Sequence, residues 1–278
     1  FNTIVMLLKF IDDKIRRAFS DAAVQYDVLT GLHKEIGREL LAKAAAHEGN
    51  GPILDVGMVP IPTYILDVGM GTGWLTGRLK NYFPDARVVG IDFAAGMVDV
   101  ANMREKDCGI VQADARQMPF KKNIFEMIAS NLAYQWVGDL PKAFANCHVI
   151  LKEEGKLYLT MFGYSTLREL FEALEKTRDA AKGNIALPRL ADRGQVSDAL
   201  SKAGFRDVNV EDECIKVHFS DMLALVKWIK DIGANALMGD MFIGRDWLNR
   251  ANAYYTQNCA EKWGGGEPFP VSWVEAIK

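Results

Sequence analysis

Three glycines at alternate positions follow an aspartate in this chain. The stretch reads Asp67-Val68-Gly69-Met70-Gly71-Thr72-Gly73. Glycine lets a backbone turn sharply and lets a ligand approach without a Cβ in the way. A nicotinamide-binding loop would place its third glycine where this chain has Trp74. The spacing therefore favours a different ligand-binding turn, with a plain strand-to-helix turn as the alternative for so short a motif.

Two further aspartates follow the next two apolar segments. Asp92 stands at the end of one segment, where an acid can hydrogen-bond the two hydroxyls of a ribose. Asp114 follows the next, where its carboxylate could accept from an adenine amino group. Acids suit a cationic ligand without phosphates, because they would repel a pyrophosphate. Each acid alone could be a helix N-cap, but three together indicate a binding crevice at the ends of parallel strands.

The elements that must position these residues alternate between short apolar strands and helices. Strands are predicted at Tyr64–Val68, Arg87–Asp92, Gly109–Ala113, Ile124–Ala129 and Lys156–Met161. Helices are predicted at Trp74–Phe83, Gly96–Arg104 and Leu140–Leu151. This alternation is typical of a Rossmann-like α/β fold, in which helices cover both faces of a parallel sheet.

The remaining chain predicts a helical arm before this core and a looser region after it. The arm covers Ile11–Ala46, and helical stretches at Thr166–Lys182 and Ser220–Cys259 are interpreted as a cap over the sheet. Phe205–Phe219 is strand-like, and Pro268–Ile277 is predicted to be a final edge strand. We expect one domain over 1–278, with an arm (1–50), a cofactor-binding core (51–162), cap segments (163–204 and 220–265) and last strands (205–219 and 268–278).

One hexapeptide occurs twice, first at Ile53–Met58 and again at Ile65–Met70. The second copy alone runs into the glycine loop, whereas two prolines follow the first and forbid a central strand there. No other segment has this period, so the chain is not a solenoid. We predict that Ile65–Val68 is the central strand and that Ile53–Tyr64 is an excursion on the surface.

The composition excludes several classes of function. The 278 residues carry a net charge of −3, which does not indicate nucleic acid or an anionic membrane as a partner. The four cysteines are far apart and the four histidines form no cluster, so the sequence predicts no metal site. The apolar N-terminal segment is too short to cross a bilayer and lacks the pattern of a signal peptide, so a reducing cytosol is expected.

The glycine loop, the acid Asp92 and the segment Gln112–Ala115 resemble the class I methyltransferase superfamily. More narrowly, the chain resembles the malonyl-acyl-carrier-protein O-methyltransferases of biotin synthesis, from about Lys14 to its C-terminus. The segments that carry this likeness are Phe19–Asp27, Ser130–Trp136, Phe162–Gly163, Thr166–Leu170 and Ile229–Ala234. The resemblance implies a mostly parallel sheet with an antiparallel last strand, and S-adenosyl-L-methionine as cofactor. The cofactor-binding residues that it implies are Tyr26, Asp67, Gly69, Gly71, Gly73, Asp92, Phe93, Met97, Asp114, Ala115 and Asn131.

The resemblance also implies a reaction, a protein partner and a cellular location. A methyl group would pass to the free carboxylate of a malonyl thioester on acyl carrier protein, early in biotin synthesis and in the cytoplasm. Such a carboxylate has a pKa of roughly 4 and is ionised at neutral pH, so no catalytic acid or base is expected. An arginine would orient it, and the candidates are Arg168, Arg178, Arg189, Arg193, Arg245 and Arg250. A basic face of Lys176, Arg178, Lys182, Arg189 and Arg193 could receive the acidic carrier.

Two departures and two alternatives accompany this interpretation. The turn Leu151–Gly155 lacks the usual Pro-Gly-Gly, and Ala94 stands where a helix-capping serine is common. The shared loop does not separate this activity from methylation of another small acceptor, such as a quinone ring carbon or a free carboxylic acid. A non-catalytic protein that binds adenosylmethionine is the alternative from a different class.

Overall fold

The computed structural model of the chain describes residues 2–47, 62–178, 190–235, 243–259 and 267–278. Its strands are β1 (Tyr64–Val68), β2 (Arg87–Asp92), β3 (Gly109–Gln112), β4 (Phe125–Asn131), β5 (Leu151–Phe162), β6 (Arg206–Val217) and β7 (Glu267–Ile277). Its α-helices are α1 (Asn2–Ala22), α2 (Tyr26–Leu29), α3 (Gly31–His47), α4 (Trp74–Tyr82), α5 (Ala95–Arg104), α6 (Leu140–Ile150), α7 (Arg168–Lys176), α8 (Arg193–Lys202), α9 (Met222–Asp231) and α10 (Arg245–Asn258).

The strands form one sheet in the order β3-β2-β1-β4-β5-β7-β6. Strands β1 to β5 pair in parallel, and β7 runs antiparallel to both of its neighbours. The order reverses at β1, so the carboxyl ends of β1 and its neighbours open a crevice where α/β sheets bind ligands. The predicted Rossmann-like fold with an antiparallel last strand is confirmed.

The prediction that Pro268–Ile277 is an edge strand is wrong. β7 lies between β5 and β6, with Val274 opposite Leu159 on one side and Val210 on the other. Most of β7 is buried, which suits an interior strand, whereas most of β6 is at least half-exposed and rich in charge. β6 is the edge strand, and its charged side chains discourage pairing with the strand of another chain.

The core has two parts, one on each face of the sheet. Successive residues of a strand point to opposite faces, and Ile65 packs in one part while Leu66 packs in the other. Met127 and Ile128 of β4 divide in the same way. The central strands are thus buried on both sides, which explains why they are continuously apolar in sequence.

The arm docks on the edge of the crevice. α1 packs on α5, α2 on α9, and α3 on α4. At the start of α5, where Ala94 offers no side-chain cap, the hydroxyl of Ser20 in α1 accepts from the N–H of Gly96 at 3.3 Å. A Cβ on Gly96 would stand 2.4 Å from the carbonyl oxygen of Ser20, so this glycine lets the arm approach. The arm therefore supplies the cap that α5 lacks.

The second copy of the repeated hexapeptide forms the central strand, as predicted. Ile65 lies opposite Val88 of β2 and Met127 of β4. The first copy lies outside the described residues. The prediction that the excursion extends to Tyr64 is wrong, because the N–H of Tyr64 donates to Glu126 at 2.8 Å and Tyr64 pairs with Arg87 in the sheet.

Candidate functional site

The loop after β1 needs glycine at each of its three positions. Gly69, Gly71 and Gly73 have φ angles of 71°, 56° and 88°, in the left-handed region that L-residues rarely adopt. A Cβ on Gly69 would stand 2.2 Å from the Cβ of Ala133. A Cβ on Gly71 would meet no atom closer than a ring carbon of Tyr26 at 3.8 Å, so Gly71 faces open space. The loop forms the floor of a cavity.

Gly73 has a different role from the other two glycines. A Cβ there would stand 2.9 Å from Cγ of Glu105 and 3.2 Å from the Cβ of Ala101. Gly73 therefore lets the start of α4 pack closely on the end of α5. It lies outside the linings of the cavities described below.

The cavity above the loop, here named the glycine-loop cavity, encloses about 800 Å³ when the space open to solvent is included. It brings together most of the residues predicted from the sequence: Tyr26, Gly69, Gly71, Asp92, Phe93, Met97, Asp114, Ala115 and Asn131. It also has lining residues that sequence reasoning missed, among them Asp12 and Phe19 of the arm, and Arg116.

Asp92 is held rigidly at the end of β2. Its carboxylate accepts from the N–H of Gly71 at 2.9 Å and from the N–H of Ala94 at 2.8 Å. Burial raises its pKa to about 6, although the backbone N–H groups oppose the shift. Since a carboxylate has about four acceptor positions, Asp92 can accept a further hydrogen bond from a ligand in the cavity.

Asp67 has a buried oxygen without a partner. Its Oδ2 accepts from Thr76 at 2.7 Å, whereas Oδ1 has no hydrogen bond to any described residue. Burial raises the pKa of Asp67 to about 7, against the opposing effect of the Thr76 hydroxyl. Asp67 lines a smaller space, here named the Asp67 recess, which shares Gly71 and Asn131 with the glycine-loop cavity. An unpaired buried carboxylate oxygen is costly, and a cationic donor is the group that would satisfy it.

Asp114 is paired inside the protein. Its carboxylate accepts from the backbone N–H of Arg116 at 2.8 Å and from the guanidinium Nη2 at 2.6 Å. Burial raises the pKa of Asp114, but the hydrogen bonds from Arg116 outweigh it and hold the pKa below its usual value. The same guanidinium reaches Asp12 of α1 at 2.7 Å. The arm is thereby tied to the loop after β3, with Asp114 still partly exposed to the cavity.

A second connection ties the arm to the glycine loop. Asp27 of α2 accepts from the hydroxyl of Thr72 at 2.8 Å and forms an ion pair with Arg104 of α5. Lys34 donates to the backbone oxygen of Asp27 at 2.7 Å. These contacts, here named the Asp27 latch, hold Tyr26 over Gly71. Burial and the nearby charge of Asp92 raise the pKa of the Tyr26 hydroxyl, which is therefore a neutral donor.

An apolar cavity, here named the aromatic cavity, adjoins the glycine-loop cavity. The two share the rings Phe19, Tyr26 and Trp136, and Phe19 meets Trp136 edge-on at 5.0 Å between centroids. Phe162 and Phe269 also line the aromatic cavity, and their ring centroids are 5.5 Å apart. An acceptor held there would face a ligand of the glycine-loop cavity across the shared rings.

Residues 131–136 differ in role, since some line a cavity and Tyr134 belongs to the core. Asn131 borders the glycine-loop cavity, its amide fixed by the carbonyl of His33 at 2.8 Å and the hydroxyl of Thr160 at 2.9 Å. Trp136 borders both cavities. Tyr134 borders the glycine-loop cavity but is fully buried, stacks on Phe144 and makes a hydrogen bond with the thiol of Cys147. For Tyr134, therefore, core packing accounts for the aromatic ring.

The five candidate arginines that the structure describes do not converge on the site. None of Arg168, Arg178, Arg193, Arg245 and Arg250 lines these cavities, and Arg189 lies outside the described residues, as does Lys182 of the candidate docking face. Arg178 pairs with Glu175 at 3.2 Å, and Arg250 donates to the carbonyl of Thr177 at 3.3 Å. None of these five arginines is placed to orient a carboxylate in these cavities.

Comparisons with known proteins identify the class. A model of the methyltransferase domain matches residues 66–159. The YcgJ protein of Bacillus subtilis has the same fold, with a TM-score of 0.59 at 17% identity over 87% of this chain and 98% of its own. Phosphoethanolamine N-methyltransferase 2 of Haemonchus contortus, solved in complex with S-adenosyl-L-methionine, gives 0.51 at 18% identity over 87% of this chain and 52% of its own. The fold and the glycine loop define a class I S-adenosylmethionine-dependent methyltransferase.

Curated relatives narrow this class. The malonyl-[acyl-carrier protein] O-methyltransferase of Gallionella capsiferriformans is 32% identical over 82% of this chain and 77% of the relative. The protein of that name from Geobacter sulfurreducens is 30% identical over 94% of this chain and 95% of the relative. The chain belongs to the malonyl-[acyl-carrier protein] O-methyltransferase family.

Proposed function

We propose that this enzyme transfers a methyl group from S-adenosyl-L-methionine to the free carboxylate of a malonyl thioester carried by acyl carrier protein. The observation that carries the proposal is the shared wall of Phe19, Tyr26 and Trp136 between a polar cavity and an aromatic one. This shared wall supports a reaction in which two ligands bind in neighbouring cavities and a small group is transferred from one ligand to the other. The family membership supports malonyl-carrier protein as the acceptor.

The residues of the glycine-loop cavity fit the cofactor. Asp92 would accept from the two ribose hydroxyls, and Asp114 from the adenine amino group. The unpaired Oδ1 of Asp67 would accept from the cofactor's ammonium group, since a buried carboxylate oxygen favours a cation. Gly71 leaves room that a side chain would fill. We further propose that Tyr26, Phe93, Met97, Ala115 and Asn131 complete this site, while Gly73 serves the helix packing beside it.

The bound cofactor supplies an electrophilic methyl group on a positively charged sulfur. The protein's task is then to bring an ionised carboxylate to that group and to keep water away. A malonyl carboxylate has a pKa of roughly 4, so no side chain has to remove a proton. The rings of the aromatic cavity strip water from the carboxylate, and the Asp27 latch keeps Tyr26 in place beside it. Alignment and desolvation are the two contributions that this geometry supports.

The setting of the reaction follows from the same proposal. Within the described ranges, none of the helices combines the length and the apolar character that crossing a bilayer requires. We place the enzyme in the cytoplasm, where it would act early in biotin synthesis. Its partner is acidic acyl carrier protein, and no nucleic acid or membrane is involved. The arm and the helices α7, α9 and α10 would form the acceptor side of a single domain, whereas α8 packs against α6 and β6.

The test is a methyl-transfer assay with labelled S-adenosyl-L-methionine. Malonyl-carrier protein should gain one methyl ester, which mass spectrometry of the released acyl group detects. Acetyl-carrier protein is the matched control, because it lacks the free carboxylate. Methylation of a quinone or of a free acid, with none on malonyl-carrier protein, would contradict the proposal. Cofactor binding without transfer to any of these acceptors would favour a non-catalytic binding protein.

A further inference from the structure

Two polar atoms in the wall of the aromatic cavity have no partner. His33 of α3 and Gln135 both line this cavity. Nδ1 of His33 and Oε1 of Gln135 are buried, and neither makes a hydrogen bond to a described residue. Buried polar atoms in folded proteins are nearly always paired, so two of them in one apolar cavity call for a ligand.

Other polar groups of this wall already have hydrogen-bond partners. The hydroxyl of Thr166 donates to the carbonyl of Gly163 at 2.8 Å. The indole N–H of Trp228 donates to the carbonyl of Leu29 at 2.8 Å. The amide of Gln135 donates to the carbonyl of Leu132, so its free atom is an oxygen that only accepts. Tyr26 lines both cavities, and burial and the charge of Asp92 raise the pKa of its hydroxyl.

His33 can also donate, and its buried Nδ1 has no partner among the described residues. A neutral imidazole carries one N–H and one acceptor nitrogen. Its ring stands edge-on to Phe162 at 5.9 Å and to Tyr26 at 6.0 Å, and its backbone carbonyl is fixed by Asn131. Burial lowers the pKa of His33 to about 4, so it stays neutral at physiological pH. The ring is thus a rigid, uncharged donor in an apolar wall.

We propose that His33 binds the free carboxylate of the acceptor through its imidazole N–H, and so selects a malonyl group over an acyl group without a second carboxylate. This inference rests on the proposed function and names the residue behind its acceptor preference. A hydrogen bond to a charged group in an apolar site is strong, whereas an acyl chain without the carboxylate leaves the imidazole unpaired. An uncharged donor has a further advantage, because it leaves no unpaired charge buried once the carboxylate has become a neutral ester.

The experiment measures binding rather than turnover. Malonyl- and acetyl-carrier protein are titrated onto the enzyme saturated with S-adenosylhomocysteine, which has no methyl group to transfer. The wild type should prefer the malonyl form. His33→Phe keeps an aromatic ring and removes the N–H, and it should weaken malonyl-carrier binding by about tenfold or more while changing acetyl-carrier binding less than twofold. His33→Gln keeps a donor and should retain most of the preference.

Phe162→Leu is the matched control, because it alters the same wall without removing a hydrogen-bonding group. It should weaken both carrier forms to the same extent. Circular dichroism and S-adenosylhomocysteine affinity check the fold of each variant, and His33→Leu replaces His33→Phe if the ring does not fit. An unchanged malonyl preference in the apolar variants would overturn the inference. So would a loss of S-adenosylhomocysteine affinity with the preference intact, since His33 also borders the Asp67 recess. A wild type without any preference would count against the proposed function itself.

Discussion

The two cavities of this protein are built by opposite means. The glycine-loop cavity uses backbone N–H groups, glycines and the carboxylates that follow β2 and β3, and Asp92 contacts both the loop at Gly71 and the start of α5. The aromatic cavity uses rings from α1, α9, β5 and β7, which are far apart in the chain. Its described polar groups are few, and two of them are unpaired.

The difference follows from what each cavity has to recognise. A cofactor with fixed polar groups can be bound by a short motif in which each partner lies near the next in sequence. An acceptor is selected by shape and by a few polar contacts, which elements from different parts of the chain must supply. Variants in the first cavity should therefore abolish cofactor binding, and variants in the second should change acceptor preference.

The largest effect is expected for Gly71→Val. The φ angle of Gly71 is 56°, which a β-branched residue rarely adopts, and the new side chain would occupy the space between the loop and Tyr26. Calorimetry should detect no binding of S-adenosyl-L-methionine. Gly138→Val is the control, because no atom lies within 4 Å of a Cβ there, and it should bind normally. Normal binding by a folded Gly71→Val would mean that the loop is merely a turn.

A smaller effect is expected for Asp92→Ala. It removes the acceptor for the ribose hydroxyls and leaves the N–H groups of Gly71 and Ala94 unpaired. Cofactor binding should weaken by about 1–3 kcal/mol. Asp99→Ala, on the exposed face of α5, should have no effect. Unchanged affinity in Asp92→Ala, measured by calorimetry, would remove this residue from the ribose site.

The cofactor affinity should also depend on pH through Asp67. Burial raises its pKa from 3.8 to about 7, so the group is partly protonated near neutrality. The ionised form is the one that attracts the cofactor's ammonium group, and affinity should therefore fall severalfold between pH 8 and pH 6. Asp67→Asn should bind more weakly at pH 8 and should lose the part of this dependence that Asp67 causes. An identical pH profile in that variant would contradict the assignment.

The same shift has the opposite consequence for the stability of the free protein. A carboxyl group whose pKa is raised by folding binds more protons in the folded state than in the unfolded state. Asp67 and Asp92, with pKa values of about 7 and 6, should therefore make the unliganded protein more stable as the pH is lowered from 7 towards 4. Asp67→Asn should reduce this gain in chemical denaturation experiments. Other carboxylates, such as Asp114, act in the opposite direction.

The smallest effect is expected for a deletion outside both cavities. Removing residues 51–61 excises the first copy of the repeat and keeps Thr63 and Tyr64, whose contacts with Glu126 belong to the sheet. The deletion shortens the connection between α3 and β1, which lowers the entropy cost of closing it, so activity should persist with equal or slightly higher stability. An inactive or unfolded deletion variant would mean that the first copy is structural.

The two cavities also differ in how far the sequence predicted them. Gly71, Asp92 and Asp114 were predicted to meet because each follows a recognisable strand, and parallel strands bring their carboxyl ends together. Asp27 and Arg116 were missed because their partners lie on other elements, and no local spacing indicates where the arm docks. Similarly, His33 looked like an isolated histidine in a helix, and its burial among aromatic rings depends on contacts between distant segments.

The edge of the sheet was mispredicted for a related reason. β7 is the last strand in sequence, and a last strand is easily placed at the edge. It is instead inserted between β5 and β6, a position that depends on how the chain returns across the sheet. The charge pattern of β6, with Glu211, Asp212 and Glu213 in succession, was the signal that could have identified the true edge.

The most direct test of the two-cavity account is a crystal structure with S-adenosylhomocysteine and a malonyl-pantetheine thioester. We expect the ribose hydroxyls on Asp92 and the ammonium group on Asp67. The sulfur should then lie at the wall of Phe19, Tyr26 and Trp136, facing a malonyl carboxylate in the aromatic cavity. A sulfur directed away from that wall, or an acceptor bound outside the aromatic cavity, would contradict the account.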